Sequence, residues 1–124
     1  MELQVVIVEC LKQATDCSKG ANGPIEAWDI SAVTDMSQVF NLDVVSGADK
    51  FAGDISKWDV SRVTSMAYMF DNAKSFNGDL SKWDVSRVTN MMGMFATALS
   101  FNSDLSKWDV SSMTVMIGMF ASAS

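Results

Sequence analysis

Tryptophan recurs along the chain at near-constant spacing, and this repeat constrains the fold more than any other feature. The four tryptophans lie at positions 28, 58, 83 and 108, which gives intervals of 30, 25 and 25 residues. Each begins W-D-[IV]-S, and threonine, methionine and phenylalanine follow it by six, eight and twelve positions. A period near 25 residues predicts supersecondary units that stack on one another, because one unit cannot bury its own apolar face.

The pattern inside one unit predicts a strand followed by a short helix. Trp58 and Val60 share one face of an alternating segment, as in a half-buried strand. Thr64 is typical of a helix N-cap, and Met66 and Phe70 then follow at i and i+4 on one helical face. The sequence therefore predicts the α/β class, as a short right-handed solenoid with one strand plus one short helix per coil.

The repeat also divides the chain. Residues 1–27 do not match the unit and are predicted to form an N-terminal helical cap, while residues 28–124 form a four-coil solenoid within the same single domain. The longer first interval reads as a loop insertion at residues 41–50, a candidate recognition loop. No polar capping unit follows the fourth coil, so we expect its end to expose Met116, Met119 and Phe120 to other protein subunits.

The full unit, F-N-x-D-L-S-K-W-D-V-S-x-V-T-x-M-x-x-M-F, resembles that of a known family. It is similar to the BspA-like surface-protein repeats of bacteria and unicellular algae, first recognised as a mycoplasma domain of unknown function, and the resemblance covers residues 25–124. The resemblance implies a leucine-rich-repeat-like solenoid and a role in protein–protein contact or at the cell surface. It implies no catalytic residues.

Composition excludes several function classes. The chain has no histidine, and 9 basic against 15 acidic residues give a net charge of −6. Nucleic-acid binders need basic clusters, and histidine is the commonest general base and metal ligand. No nucleophile elbow, Walker loop or dinucleotide fingerprint is present. We therefore expect no catalytic residue, metal, cofactor or nucleic acid, and no membrane-spanning segment, because no run of apolar residues is long enough.

Polar and cysteine residues supply the remaining candidates. A polar partner-binding face is predicted from the lysine and aspartate that flank the last three tryptophans, namely Lys57, Asp59, Lys82, Asp84, Lys107 and Asp109. The aspartates either accept N–H bonds at turns or stack into a calcium site, and the missing glycine-rich calcium nonapeptide favours the turns. Cys10 and Cys17 form a disulfide in an oxidising compartment or two buried thiols in a reducing one.

These features predict a non-catalytic protein-interaction or scaffold module. The preferred interpretation is a small accessory subunit of a larger assembly, such as an algal organellar or photosynthetic complex, peripheral to a membrane. The alternative is a fragment of a secreted or cell-surface repeat protein or adhesin, stabilised by calcium if the aspartate columns bind it. The sequence leaves the localisation open between these two settings.

Overall fold

The computed structural model describes residues 3–19 and 23–121. One α-helix, α1, spans Leu3–Gln13, and single-turn 3-10 helices span Ile25–Ala27 and Ala48–Lys50. Isolated parallel bridges join successive repeats through Asp35, Ser65, Asn90 and Val115. Within the two described ranges no longer strand forms, and the rest of the backbone is turns and irregular segments.

The predicted α/β solenoid, with a strand and a helix in every coil, is wrong, and so is the leucine-rich-repeat-like architecture. No β-sheet exists in the described residues, and the only α-helix there lies before the repeats. The segment after Thr64 does not coil into a helix, so Thr64 is not an N-cap. Its amide and Oγ1 instead both donate to the carbonyl of Thr34 in the preceding repeat, at 2.7 and 3.2 Å.

Each repeat is a string of β-turns. In the second repeat, six amides each donate to the carbonyl three residues earlier. The bonded pairs are Trp58 to Ile55, Val63 to Val60, Met69 to Met66, Asp71 to Tyr68, Ala73 to Phe70 and Phe76 to Ala73. The methionine stripe that predicts a helix therefore belongs to consecutive turns. Its apolar side chains still point inward, and Met66, Met69 and Phe70 are fully buried.

A left-handed residue in the methionine turn explains why the chain does not continue as a helix. The third position of this turn has positive φ in all four repeats, at Gln38, Tyr68, Gly93 and Gly118. A turn with positive φ at its third position is of type II, and such a residue cannot sit inside an α-helix. Carbonyls of this turn, such as that of Met92, are therefore not used within a helix and accept amides of the preceding repeat.

Backbone hydrogen bonds join each repeat to the next through those carbonyls. In the second repeat, Met66, Tyr68 and Phe70 donate to the third-repeat carbonyls of Asn90, Met92 and Met94, at 2.9, 2.8 and 2.8 Å. The first and third repeats donate in the same way to their successors. This ladder satisfies backbone groups that an isolated two-turn helix would leave open at its ends.

Aromatic columns fill the interior. Phe40, Phe70, Phe95 and Phe120 stack at centroid distances of 5.4, 5.5 and 5.4 Å. A second column of Phe51, Phe76 and Phe101 stacks beside it at 5.7 and 6.0 Å. Such pairs contribute about 0.5–1.5 kcal/mol each beyond the burial of their area. Contacts between equivalent rings therefore help the repeats to stabilise one another.

The tryptophans also link repeats, by a hydrogen bond that the sequence does not reveal. Trp58, Trp83 and Trp108 are buried, whereas Trp28 is half-buried. The indole N–H groups of the three buried tryptophans donate to Ile25, Ile55 and Leu80 in the preceding units, at 2.9, 3.0 and 2.8 Å. Each of these three indoles thus joins two units through its N–H group.

Helix α1 covers the first repeat. Ile7 and Cys10 on α1 belong to the core, and the Gln4 side-chain amide donates to the carbonyl of Ser37 at 3.2 Å. Cys10 and Cys17 are joined by a disulfide bond. The bond fastens α1 to the segment that leads into the first repeat.

The substitution Gly93→Ala is expected to cost more stability than Gly118→Ala. Both glycines have positive φ, which costs an alanine about 1–2 kcal/mol. A Cβ at Gly93 would also lie 2.6 Å from the Tyr68 ring, whereas one at Gly118 would meet only Ala121, at 4.0 Å. Urea unfolding of both variants separates ring displacement from backbone strain, and equal losses would contradict this close packing.

Candidate functional site

The fourth repeat ends the described stack with a cluster of exposed apolar side chains. Met116 is 46% exposed, Ile117 75% and Phe120 51%, and Val110 is also exposed. Their counterparts Met91, Met92 and Phe95 in the third repeat are buried or half-buried, because the fourth repeat packs on them. We call the surface formed by Val110, Met116, Ile117 and Phe120 the terminal face.

Backbone groups on the terminal face lack the partners that their counterparts have. The amides of Met91, Gly93 and Phe95 donate to Val115, Ile117 and Met119 at 2.9, 3.0 and 2.8 Å. The equivalent amides of Met116, Gly118 and Phe120 meet no acceptor within residues 3–19 and 23–121. The face therefore combines apolar side chains with a row of free hydrogen-bond donors.

The structure places the three apolar residues predicted for this end differently from one another. Met116 and Phe120 lie on the terminal face, whereas Met119 is buried. Ile117, which helical spacing would put on a different side from Met116, is its most exposed member. Residues 116–119 form a turn closed by the bond from the Met119 amide to the Met116 carbonyl, so helical spacing does not describe which of their side chains share a side. The glycine at position 118 is the sequence signal that could have indicated it.

The aspartates act as caps of their own turns. Asp59 Oδ1 accepts hydrogen bonds from the amide and the hydroxyl of Ser61, at 3.0 and 2.6 Å. The Ser61 hydroxyl, and then its amide, hold the pKa of Asp59 below the ordinary value. The same D-x-S arrangement recurs along the repeats and lowers the pKa of Asp29, Asp54, Asp79, Asp84, Asp104 and Asp109.

The predicted polar face is exposed, and its charges are mixed. Lys57, Lys82 and Lys107 are solvent-exposed, as are the three aspartates that follow the tryptophans, Asp59, Asp84 and Asp109. Arg62 lies close enough to Asp59 to help lower its pKa, and Asp29 acts in the opposite direction. In the part of the chain that the structure describes, no three acidic or cysteine side chains come together as a metal ion would require.

Acidification is expected to destabilise the protein. An aspartate whose pKa is lowered by folding stabilises the folded state above its unfolded pKa, ordinarily 3.8, and loses that contribution as the pH falls through the folded value. Burial raises the pKa of Asp71, so this residue acts in the opposite direction. It is outnumbered by the aspartates whose pKa is lowered. Thermal unfolding between about pH 6 and pH 2 should show a falling midpoint.

A variant with asparagine at the turn-capping positions provides the control for this acid effect. Asparagine still accepts the serine N–H bond but does not titrate in this range. We expect its unfolding midpoint to change much less on acidification than that of the parent. The same acid loss in both proteins would assign the effect to other groups.

Two further surface regions are candidate binding sites, the insertion 41–50 and a groove beside α1. The insertion 41–50 is anchored by Asn41, whose buried side chain accepts the amide of Asp43 at 3.0 Å, and it exposes Val44. A groove of about 410 Å³ lies between α1 and the first repeat, lined by Leu3, Val6, Trp28 and Val33 among others.

None of the helices in residues 3–19 and 23–121 has both the length and the apolar character needed to cross a membrane.

Comparison with known proteins identifies a family. The model of a family described as "Mycoplasma protein of unknown function, DUF285" matches residues 9–124. No curated protein and no solved structure matches the chain. The match covers α1 from its middle onward and all four repeats.

Proposed function

The chain belongs to the mycoplasma-type family of unknown function DUF285, and on this premise we propose that it is a non-catalytic protein-binding module of a surface repeat protein. The terminal face carries the proposal. It exposes four apolar side chains beside free backbone donors. In each of the first three repeats, the following repeat covers the equivalent surface. Covering such a surface with another protein chain removes apolar area from water and pairs the donors.

The terminal face is a better binding surface than the polar face. Burying partly exposed side chains such as Ile117 and Phe120 contributes about 1 kcal/mol each or more. The aspartates of the polar face already bond their own serines, and solvent-exposed ion pairs contribute between about 0 and 1 kcal/mol. Apolar contact at the terminal face therefore contributes most of the expected binding free energy, and the polar face contributes little.

The disulfide supports a surface location. Cys10 and Cys17 are bonded to each other and buried, and such bonds persist in oxidising compartments such as the cell exterior. The repeat motif agrees with this, because it resembles the BspA-like surface repeats of bacteria and algae. The module would then be part of a secreted or surface-attached array.

A second candidate function is that of an accessory subunit in a larger assembly, including an organellar complex beside a membrane. The same terminal face favours it, because a subunit buried in an assembly needs a permanent apolar interface. The two candidates share the binding surface and differ in compartment. The location of the tagged protein in intact cells distinguishes them.

Site-specific photo-crosslinking tests the proposed function. A photoreactive residue in place of Ile117 should yield a crosslink to another protein in cells that make this chain. The matched control is the same residue in place of Val5, which is 58% exposed on α1 at the other end of the stack. Crosslinking from Ile117 but not from Val5 supports binding at the terminal face. No crosslink from Ile117, or equal crosslinking from both positions, contradicts it.

A further inference from the structure

The groove beside α1 has the indole of Trp28 in its wall. It has a volume of about 410 Å³, with Leu3 and Val6 on the side of α1 and Trp28 and Val33 on the side of the first repeat. The Trp28 ring stacks on that of Trp58, with centroids 6.5 Å apart. Trp28 is nevertheless only half-buried, whereas the other three tryptophans are buried. Part of its indole is therefore available to a ligand in this cavity, which we call the α1 groove.

A carboxylate lies beside this indole. Asp29 also lines the α1 groove and is solvent-exposed. Its Oδ1 accepts hydrogen bonds from the amide and the hydroxyl of Ser31, at 3.0 and 2.6 Å. Within residues 3–19 and 23–121, no hydrogen bond or ion pair engages its Oδ2. The Ser31 hydroxyl, and then its amide, lower the pKa of Asp29, so the carboxylate is charged at neutral pH and one oxygen is left for a donor of the ligand.

A second groove beside the first repeat is acidic. It has a volume of about 260 Å³, and the carboxylates of Asp16, Glu26 and Asp54 belong to its wall. Among the described residues, no lysine or arginine lines either groove. Lys19 and Lys57 are only minor causes of the lowered pKa of Asp16 and Asp54. We call this cavity the acidic groove.

We propose that the two grooves together bind an arginine-containing peptide segment of a partner protein. One arginine lies in the α1 groove, where its guanidinium contacts the Trp28 ring and the Asp29 carboxylate. A second arginine lies in the acidic groove. This binding site is separate from the terminal face, so the inference goes beyond the proposed function.

The α1 groove matches both parts of an arginine side chain. The aliphatic stem can pack on Leu3 and Val6, and the planar guanidinium both stacks on an indole and pairs with a carboxylate. Helix α1 begins at Leu3, and a helix N-terminus carries partial positive charge. The guanidinium therefore lies on the Trp28 side of the groove. An acidic ligand would be repelled by Asp29 and by the net charge of −6.

The spacing of the two grooves fits alternate side chains of an extended peptide. Residues 24–26 line the acidic groove and residues 27–29 line the α1 groove. The 3-10 helix Ile25–Ala27 rises about 2 Å per residue, so the centres of these two wall segments are about 6 Å apart. Alternate side chains of an extended chain point to the same side and are about 6.6 Å apart. We therefore expect the bound segment to contain R-x-R.

Titration of the full chain with a short capped peptide, in which two arginines alternate with alanines, tests this inference by NMR. We expect the indole N–H signal of Trp28 to shift. The signals of Trp58, Trp83 and Trp108, whose indoles bond to buried carbonyls, should stay in place and report an intact fold. The same peptide with citrulline, the neutral isostere of arginine, should bind about tenfold more weakly. An unmoved Trp28 signal, or equal binding of the citrulline peptide, would overturn the inference.

Two aspartate variants provide a matched test and control. Asp29→Asn keeps an oxygen for Ser31 but removes the charge beside Trp28, and we expect it to weaken binding about fivefold. Asp84→Asn changes the net charge equally in an equivalent turn, where Oδ1 accepts the amide and the hydroxyl of Ser86, at 3.1 and 2.6 Å. We expect its affinity to stay within about twofold of the parent. Equal losses in both variants would mean that the peptide follows net charge rather than the α1 groove, and would overturn the inference.

This test is independent of the crosslinking test of the terminal face. Val5, the control position for crosslinking, does not line the α1 groove. At about 100° per residue, it projects from a different side of α1 than Leu3 and Val6. A shifted Trp28 signal without a crosslink from Ile117 would remove the proposed function and keep this inference, and the reverse result would do the opposite.

Discussion

The substitution Phe70→Ala is expected to lower the free energy of unfolding by about 3–5 kcal/mol. The Phe70 ring is fully buried and stacks between Phe40 and Phe95, at 5.4 and 5.5 Å. It also stacks on Phe76, at 4.5 Å. An alanine would interrupt one aromatic column and remove a contact with the other, and the backbone ladder on both sides hinders collapse of the cavity. Guanidinium unfolding followed by tryptophan fluorescence measures the loss.

The matched control for Phe70→Ala is Phe120→Ala at the end of the same column. Phe120 is half exposed and stacks on Phe95 alone among the described aromatic residues. Its truncation removes less buried area and leaves no enclosed cavity, so we expect a loss below about 1 kcal/mol. Similar losses at both positions would mean that the phenylalanine columns do not couple the repeats.

The repeat register and most of the core were predictable from the sequence. The Trp, Met and Phe positions recur with one period, and a recurring apolar position must face a shared interior whatever the backbone does between repeats. Trp58, Met66 and Phe70 are buried accordingly. The alternation of Lys57, Trp58 and Asp59 also predicted correctly which side chains face the solvent.

The secondary structure was not predicted correctly, because periodicity alone does not identify the backbone conformation. Apolar residues at i, i+3 and i+4 fit one face of a helix, but here they fit consecutive turns. The distinguishing signals are local. The D-x-S pairs cap turns, and glycines at positions 93 and 118 occupy left-handed positions, whereas Gln38 and Tyr68 conceal the same conformation in the first two repeats.

The candidate site was predictable in place but not in composition. An end without a further repeat was expected to be apolar, and Met116 and Phe120 are exposed there. Helical spacing grouped Met119 with them, because it assumes that side chains advance by a constant angle. In the turns Met119 points into the core and Ile117 points out. The row of free amides depends on carbonyl directions, which no side-chain pattern encodes.

The substitution Trp83→Ala is expected to cost about 3–5 kcal/mol of stability, and Trp83→Phe only about 1–2 kcal/mol. Trp83 is buried, and its indole N–H donates to the carbonyl of Ile55 at 3.0 Å. Alanine removes both the ring and the bond. Phenylalanine keeps most of the apolar contact, and the Ile55 carbonyl still accepts the amide of Trp58 at 3.1 Å, so no buried acceptor is left without a partner.

The comparison of Trp83→Phe with Trp28→Phe isolates the bond between repeats. Trp28 is half-buried, and its indole N–H donates to Gly23, only five residues away, at 3.1 Å. Loss of that local bond does not uncouple two repeats, so we expect Trp28→Phe to cost less than about 1 kcal/mol when the Trp28 and Trp83 variants are compared by urea unfolding. If Trp28→Phe cost as much as Trp83→Phe, the indole bond would have no special role in joining repeats, and ring size alone would explain why tryptophan begins every unit.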